Sequence, residues 1–78
     1  MTIQTQNTLY TLHDAGDGGY LISGHPKYCP RPILVTLERP LRVGQSAVFR
    51  YNERPFIGCR SHLITSAVQR IGGEGWHN

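Results

Sequence analysis

The sequence predicts a small all-β domain, a compact barrel or rolled antiparallel sheet of five or six short strands. Three observations predict it. Apolar and polar residues alternate with a period of two in several short runs, the pattern of strands buried on one face. Nine glycines and five prolines in 78 residues punctuate those runs at turn spacing. Charged residues make up only 17% of the chain, below the roughly one quarter usual for globular domains, so there is too little polar surface for a bundle of solvated helices. A chain of this length is one domain, and its small core leaves it marginal unless a metal, a disulfide, a partner or very regular pairing adds stability. Residues 1–6 and 72–78 read as flexible ends.

The strands follow in order. Residues 7–13, NTLYTLH, set Leu9 and Thr11 against Tyr10 and Leu12 and read as a strand. DAGDGG at 14–19 is turn chemistry, because Gly and Asp tolerate positive φ, and 19–24 returns as the second arm of a hairpin. HPKYCPRP at 25–32 holds three prolines and reads as a stiff loop, since proline gives no ladder donor and extends its predecessor. ILVTLE at 33–38 is the most apolar strand. After a turn through Pro40 and Gly44 comes SAVFRY at 46–51, expected to pair with residues 55–59, PFIGC, as a second hairpin across the NERP turn. Residues 61–71 fit a strand through Ile64, Thr65, Val68 and Ile71, or a short C-terminal helix capped by Ser61; the strand is preferred.

Charge is distributed unevenly. The net charge is +3, but all eight cations lie between Lys27 and Arg70, seven of them are arginine, and only Glu38 and Glu53 oppose them there. Arginine makes planar, bidentate contacts to carboxylate and phosphate, so the basic segment points to an acidic protein surface or to nucleic acid as partner. FRYNERPF at 49–56 interleaves aromatics with arginine, as surfaces that stack single-stranded bases do. Alternation gives the competing reading: Phe49 and Tyr51 share one face and belong to the core, with Arg50 on the other. The binding candidates are Arg50, Arg54 and Arg60 first, then Arg39, Arg42, Lys27, Tyr28 and Tyr51. Tyr28 and Trp76 read as exposed aromatics.

The metal question turns on His25-x3-Cys29 and Cys59-x2-His62, four residues of zinc-ligating type in predicted loops. Neither pair has the Cys-x2-Cys spacing of a zinc knuckle, and Pro-Lys-Tyr stiffens the first, so the expectation is no joint site and no cofactor. A Cys29–Cys59 disulfide is the lesser alternative. Catalysis has little support. Ser46, in GQSAV, lacks the second glycine of a nucleophile elbow, Cys59 and His62 have no evident third partner, and GDGG lacks the lysine and helix of a phosphate loop. A small-molecule substrate is not expected. No run approaches the roughly 18 apolar residues that cross a bilayer, and the first residues have no basic start or apolar stretch, so a cytoplasmic location is expected with no membrane partner.

The C-terminal half resembles a family of small β-rich proteins of phages, plasmids and bacterial mobile elements. The resemblance rests on Pro40, Leu41, Val43, Gly44, Thr65, Ser66 and Val68, within residues 33–71. Ala67 stands where that pattern often has proline. The resemblance implies a compact β fold and a mobile-element accessory role, and it assigns no catalytic residue. The function expected is therefore non-enzymatic. The chain is read as an inhibitor that blocks a host nucleic-acid-handling or defence complex by stoichiometric occlusion, as anti-CRISPR proteins do. Direct nucleic-acid binding is the alternative, and a zinc-stapled domain the second alternative.

Overall fold

A computed structural model of the chain describes residues 1–73. It is all-β. Seven strands form one antiparallel sheet, and no helix occurs among the described residues. The strands are β1 (Thr2–Gln4), β2 (Leu9–Gly16), β3 (Gly19–Ser23), β4 (Ile33–Leu37), β5 (Ser46–Tyr51), β6 (His62–Ala67) and β7 (Arg70–Gly72). Their order in the sheet is β6-β5-β4-β3-β2-β1-β7. The sheet curls into a half-barrel, with the core on its concave face.

Period-two alternation builds that face. Cross-strand partners place Leu63 beside Phe49 and Phe49 beside Leu37; Tyr51, Val35 and Tyr20 form a parallel row. Further along, Ile33, Ile22 and Leu12 align, then Tyr10, Ile3 and Ile71. Phe49, Ile3, Leu12, Ile22, Ile33 and Val35 are all but inaccessible to solvent. Phe49 and Tyr51 are thus core residues, with Arg50 exposed between them. Each apolar row is a set of directly opposed pairs, the unit that stabilises a sheet.

The hairpin expected at 7–24 forms as β2–β3. Its turn runs through Gly16, Asp17 and Gly18, all at positive φ (86°, 53° and 76°), and Asp14 Oδ1 accepts the Gly16 N–H at 2.7 Å. Gly24 has a different necessity. Its φ is 124°, and a Cβ there would run into the Leu9 carbonyl oxygen and the Tyr10 Cα.

Four expectations need correction. The described residues form seven strands rather than five or six. Residues 1–6, expected as a flexible end, contain β1, whose Ile3 is fully buried between β2 and β7. The partner of β5 is β6, not residues 55–59. Phe56–Cys59 instead forms a turn, closed by Cys59 N–H donating to Phe56 O at 3.2 Å, with Gly58 at φ 88°. Residues 61–71 are two strands rather than a helix or one strand. Of the predicted C-terminal end, residues 72 and 73 are described, with Gly72 closing β7; Trp76 lies outside the described residues.

The break between β6 and β7 makes the half-barrel. These strands are the two edges of the sheet, yet only Val68 and Gln69 separate them. Val68 N–H donates to Gln45 O at 2.9 Å and its carbonyl accepts from Gly44 N–H at 2.7 Å, on the β5 side. The next residue crosses over: Gln69 N–H donates to Gln4 O at 2.7 Å, on the β1 side. One two-residue corner therefore ties the edges together at one end. A bulge precedes it. The β5–β6 register shifts between Ser46 and Val48, and Ala47 N–H donates to the buried Thr65 Oγ1 at 3.0 Å. A threonine hydroxyl satisfies the donor that the shift removes from the ladder.

Candidate functional site: a cationic, aromatic groove at the open end

Between β6 and the β1–β2 turn a groove of about 570 Å³ extends from beside the corner, where Thr65 and Thr5 line it, to the far end of the sheet, where Lys27, Tyr28, Phe56 and Arg60 do. Four segments wall it: β6 from His62 to Ser66, the β1–β2 turn at Thr5–Thr8, the loop between β3 and β4, and the β5–β6 connection from Phe56 to Arg60. The β1–β2 turn is held tightly, because Thr8 O accepts the Thr5 N–H at 2.9 Å, Thr5 Oγ1 at 3.2 Å and Gln4 Nε2 at 3.3 Å.

The proline-rich loop is stiff for an added reason. His25 and Cys29 form an isolated antiparallel bridge; Cys29 N–H donates to His25 O at 3.1 Å, and the Cys29 sulfur accepts the His25 N–H at 3.3 Å. His25 Nδ1 accepts the backbone N–H groups of both Lys27 (3.1 Å) and Tyr28 (3.2 Å). The imidazole thus closes its own loop and turns the two residues outward. Its ring stacks on Tyr10 with centroids 6.4 Å apart and tilts against Tyr28 at 4.8 Å. Tyr28 meets Phe56 at 6.4 Å, and the Lys27 ammonium lies 5.3 Å from the Tyr28 ring centroid and 5.7 Å from that of Phe56. From below, Tyr51 Oη donates to Tyr28 O at 2.9 Å, so the core supports the loop. The result is a partly exposed aromatic step carrying a cation.

Charge in the groove has one sign. Lys27 and Arg60 line it, and among the described residues no aspartate or glutamate does. Among the described residues, neither of these cations has a carboxylate partner, whereas Arg31 pairs with Glu53 at 3.5 Å and Arg50 with Glu38 at 3.9 Å. Of the predicted binding residues, the structure brings together Lys27, Tyr28 and Arg60, with Tyr51 beneath. Arg54 is exposed in the β5–β6 connection. Arg50 stands on the convex face opposite Thr36 and His62. Arg39 and Arg42 lie in the β4–β5 connection at the other end of the sheet, where Arg39 donates to Ser46 O at 2.6 Å. Composition did not single out Thr5, Thr8, Tyr10 or Ile64 as neighbours of this site. Phe56 carried a signal, an apolar residue beside Pro55 in a turn.

The histidines and cysteines do not converge. Among the described residues, no three His, Cys, Asp or Glu side chains stand close enough to share a metal ion. His25 is committed to its loop, and His62 faces Glu38. Both cysteines are free thiols and buried. Burial raises the Cys29 thiol above its ordinary value of 9.0, against a smaller opposing pull from the His25 N–H, so it is not a thiolate near neutral pH. On the convex face, Ser61 Oγ lies 2.7 Å from His62 Nδ1, and His62 Nε2 lies 3.2 Å from Glu38 Oε1. This chain has the connectivity of a nucleophile, base and orienting acid. It sits on an exposed surface, and Glu38 also pairs with Arg50, which fits a polar network stitching β4, β5 and β6.

No protein-family model, curated protein or solved structure matches the chain. The groove therefore has to be read from its own chemistry.

Proposed function

We propose that this chain is a small non-enzymatic binding protein that covers an acidic site on a macromolecular partner through the groove at the open end of its half-barrel. In its sharper form, taken with the resemblance to mobile-element proteins, it is a phage or mobile-element inhibitor that occludes a host nucleic-acid-handling or defence complex one to one. One observation carries the reading. Lys27 and Arg60 line a groove to which no described residue brings a carboxylate, beside the exposed aromatics Tyr28 and Phe56. Unneutralised cations beside aromatic anchors are what a partner's carboxylates and apolar side chains recognise.

A second reading has its own support. Aromatic faces beside a lysine also suit the stacking of single-stranded bases. The test separates the two. The chain immobilised as bait is exposed to bacterial lysate, with Lys27→Glu/Arg60→Glu as control, and labelled dT15 and U15 are titrated at several salt concentrations. The primary reading expects one host complex retained by the parent and lost by the double variant, with no oligonucleotide binding at physiological salt. Oligonucleotide binding with a steep log–log salt slope supports the second reading instead. Identical behaviour of parent and double variant in both assays removes the groove from either.

A further inference from the structure

The backbone of β6 says what kind of group the groove takes. Tyr51 N–H donates to Ser61 O, and Phe49 is the cross-strand partner of Leu63. In an antiparallel pair, successive residues point their N–H and C=O alternately toward and away from the partner strand. Leu63 therefore bonds to β5, while His62 and Ile64 present N–H and C=O to the open side. Among the described residues, β6 has β5 as its sheet neighbour and none on the other edge. The bulge interrupts the edge beyond Ile64, so the clear stretch is short and lies within the groove.

We infer that the groove receives an extended acidic segment of a partner protein, which adds to β6 as a further strand. This rests on the groove's being the binding site. An open strand edge offers donors and acceptors in alternation, and another peptide backbone answers both. A phosphodiester answers the N–H groups alone and is repelled by the carbonyls of His62 and Ile64. A second copy of this chain would bring its own Lys27 and Arg60 to the same groove, like charge against like. The incoming segment sets carboxylates toward Lys27 and Arg60. Its inward apolar side chains meet Leu63, Tyr28 and Phe56, and its outward ones meet Ile64, which is 65% exposed. Alternation of acidic and apolar residues follows, because side chains on an added strand face opposite sides in turn.

The test is selection of random nonapeptides displayed on phage against the full chain. The expected result is enrichment of sequences alternating Asp or Glu with apolar residues. A synthetic peptide of the enriched sequence should weaken about tenfold or more with Lys27→Glu/Arg60→Glu, and to a similar degree when N-methylated at alternate amides but not at the intervening ones. Ile64→Pro should also abolish binding, since it removes an outward N–H without touching the β5 ladder; thermal melting checks that the variant folds, and the N-methylated peptides test the same bond with the protein unaltered. Enrichment of peptides without acidic residues, no enrichment, or indifference to N-methylation overturns strand addition. Tighter binding of dT15 than of any peptide, or a dimer in sedimentation that Ile64→Pro dissociates, overturns it too. If charge reversal weakens the peptide and N-methylation does not, strand addition falls and the groove as binding site stands.

Discussion

The two ends of the half-barrel use the same materials in opposite ways. At the closed end, Val68 and Gln69 bond in turn to Gln45 and Gln4, Thr65 fills the donor left by the bulge, and Arg39 donates to Ser46 O. These polar groups hold the edges of the sheet together. At the open end, among the described residues, Lys27 and Arg60 have no carboxylate partner, aromatic rings are partly exposed, and one edge of β6 is unpaired. A side chain's type does not decide whether it builds the fold or awaits a partner. Its place relative to the corner does.

That contrast can be broken most forcefully through the frame that both ends share. Phe49→Ala should cost about 3–5 kcal/mol, a large fraction of the 5–15 kcal/mol typical of domains, and should unfold much of the population at 37 °C in a denaturant titration. Gly24→Ala should cost roughly 1–3 kcal/mol from backbone strain alone, and more from its clash with the Leu9 carbonyl. Survival of Phe49→Ala at parental stability would mean the packing of β5 between β4 and β6 is not as described, and survival of Gly24→Ala would mean the same of the β2–β3 contact.

At the closed end, Thr65→Val leaves the Ala47 N–H buried without an acceptor and should cost about 1–3 kcal/mol. By contrast, Lys27→Glu/Arg60→Glu at the open end should change stability by no more than about 0.5 kcal/mol while abolishing partner capture. Comparable stability losses from the two variants would erase the distinction between the ends.

Alkaline pH probes the support beneath the groove. Burial raises Cys29, Tyr10 and Tyr51 above their ordinary values of 9.0, 10.0 and 10.0. Each is neutral when protonated, so below the unfolded-state values both states hold the proton and stability does not change. As pH rises past those values, the unfolded chain releases protons that the folded chain keeps, and stability falls. Melting temperature should stay level through neutral pH and drop above about pH 9, and Cys29 should resist iodoacetamide at pH 7.5 until the chain is unfolded. Rapid alkylation under native conditions would contradict its buried, protonated state. The smallest effect expected is from Arg39→Ala, at most about 1 kcal/mol for an exposed hydrogen bond, read as a small shift in denaturation midpoint.

Much of the frame was legible because it is local. DAGDGG encodes its turn through glycine φ angles, and alternation assigned Phe49 and Tyr51 to the core. β1 was not legible, since one buried residue, Ile3, carries its burial and a three-residue strand shows no period. The wrong partner for β5 came from reading the β propensity of Phe56 and Ile57 over the turn signal of Gly58; Ile57 is in fact fully exposed. The site was legible only in pieces. Lys27, Tyr28 and Arg60 could be singled out by chemistry. That they meet Tyr10, Thr8 and Ile64 depends on where the sheet curls, a long-range consequence of the corner at Val68–Gln69. The His25/Cys29 pair shows the converse. Its spacing suggested ligands, and the short loop uses both residues to hold itself.

The openness of the β6 edge is the claim on which strand addition in the groove stands, and amide hydrogen exchange of the isolated chain measures it. The Leu63 amide, paired to β5, should be protected along with Ile3 and its neighbours in β1, which is paired on both sides. The amides of His62 and Ile64 should exchange at rates like those of the Phe56–Arg60 turn. Protection of His62 and Ile64 as strong as that of Leu63 would mean the edge is already covered, and the groove would not be the open site described.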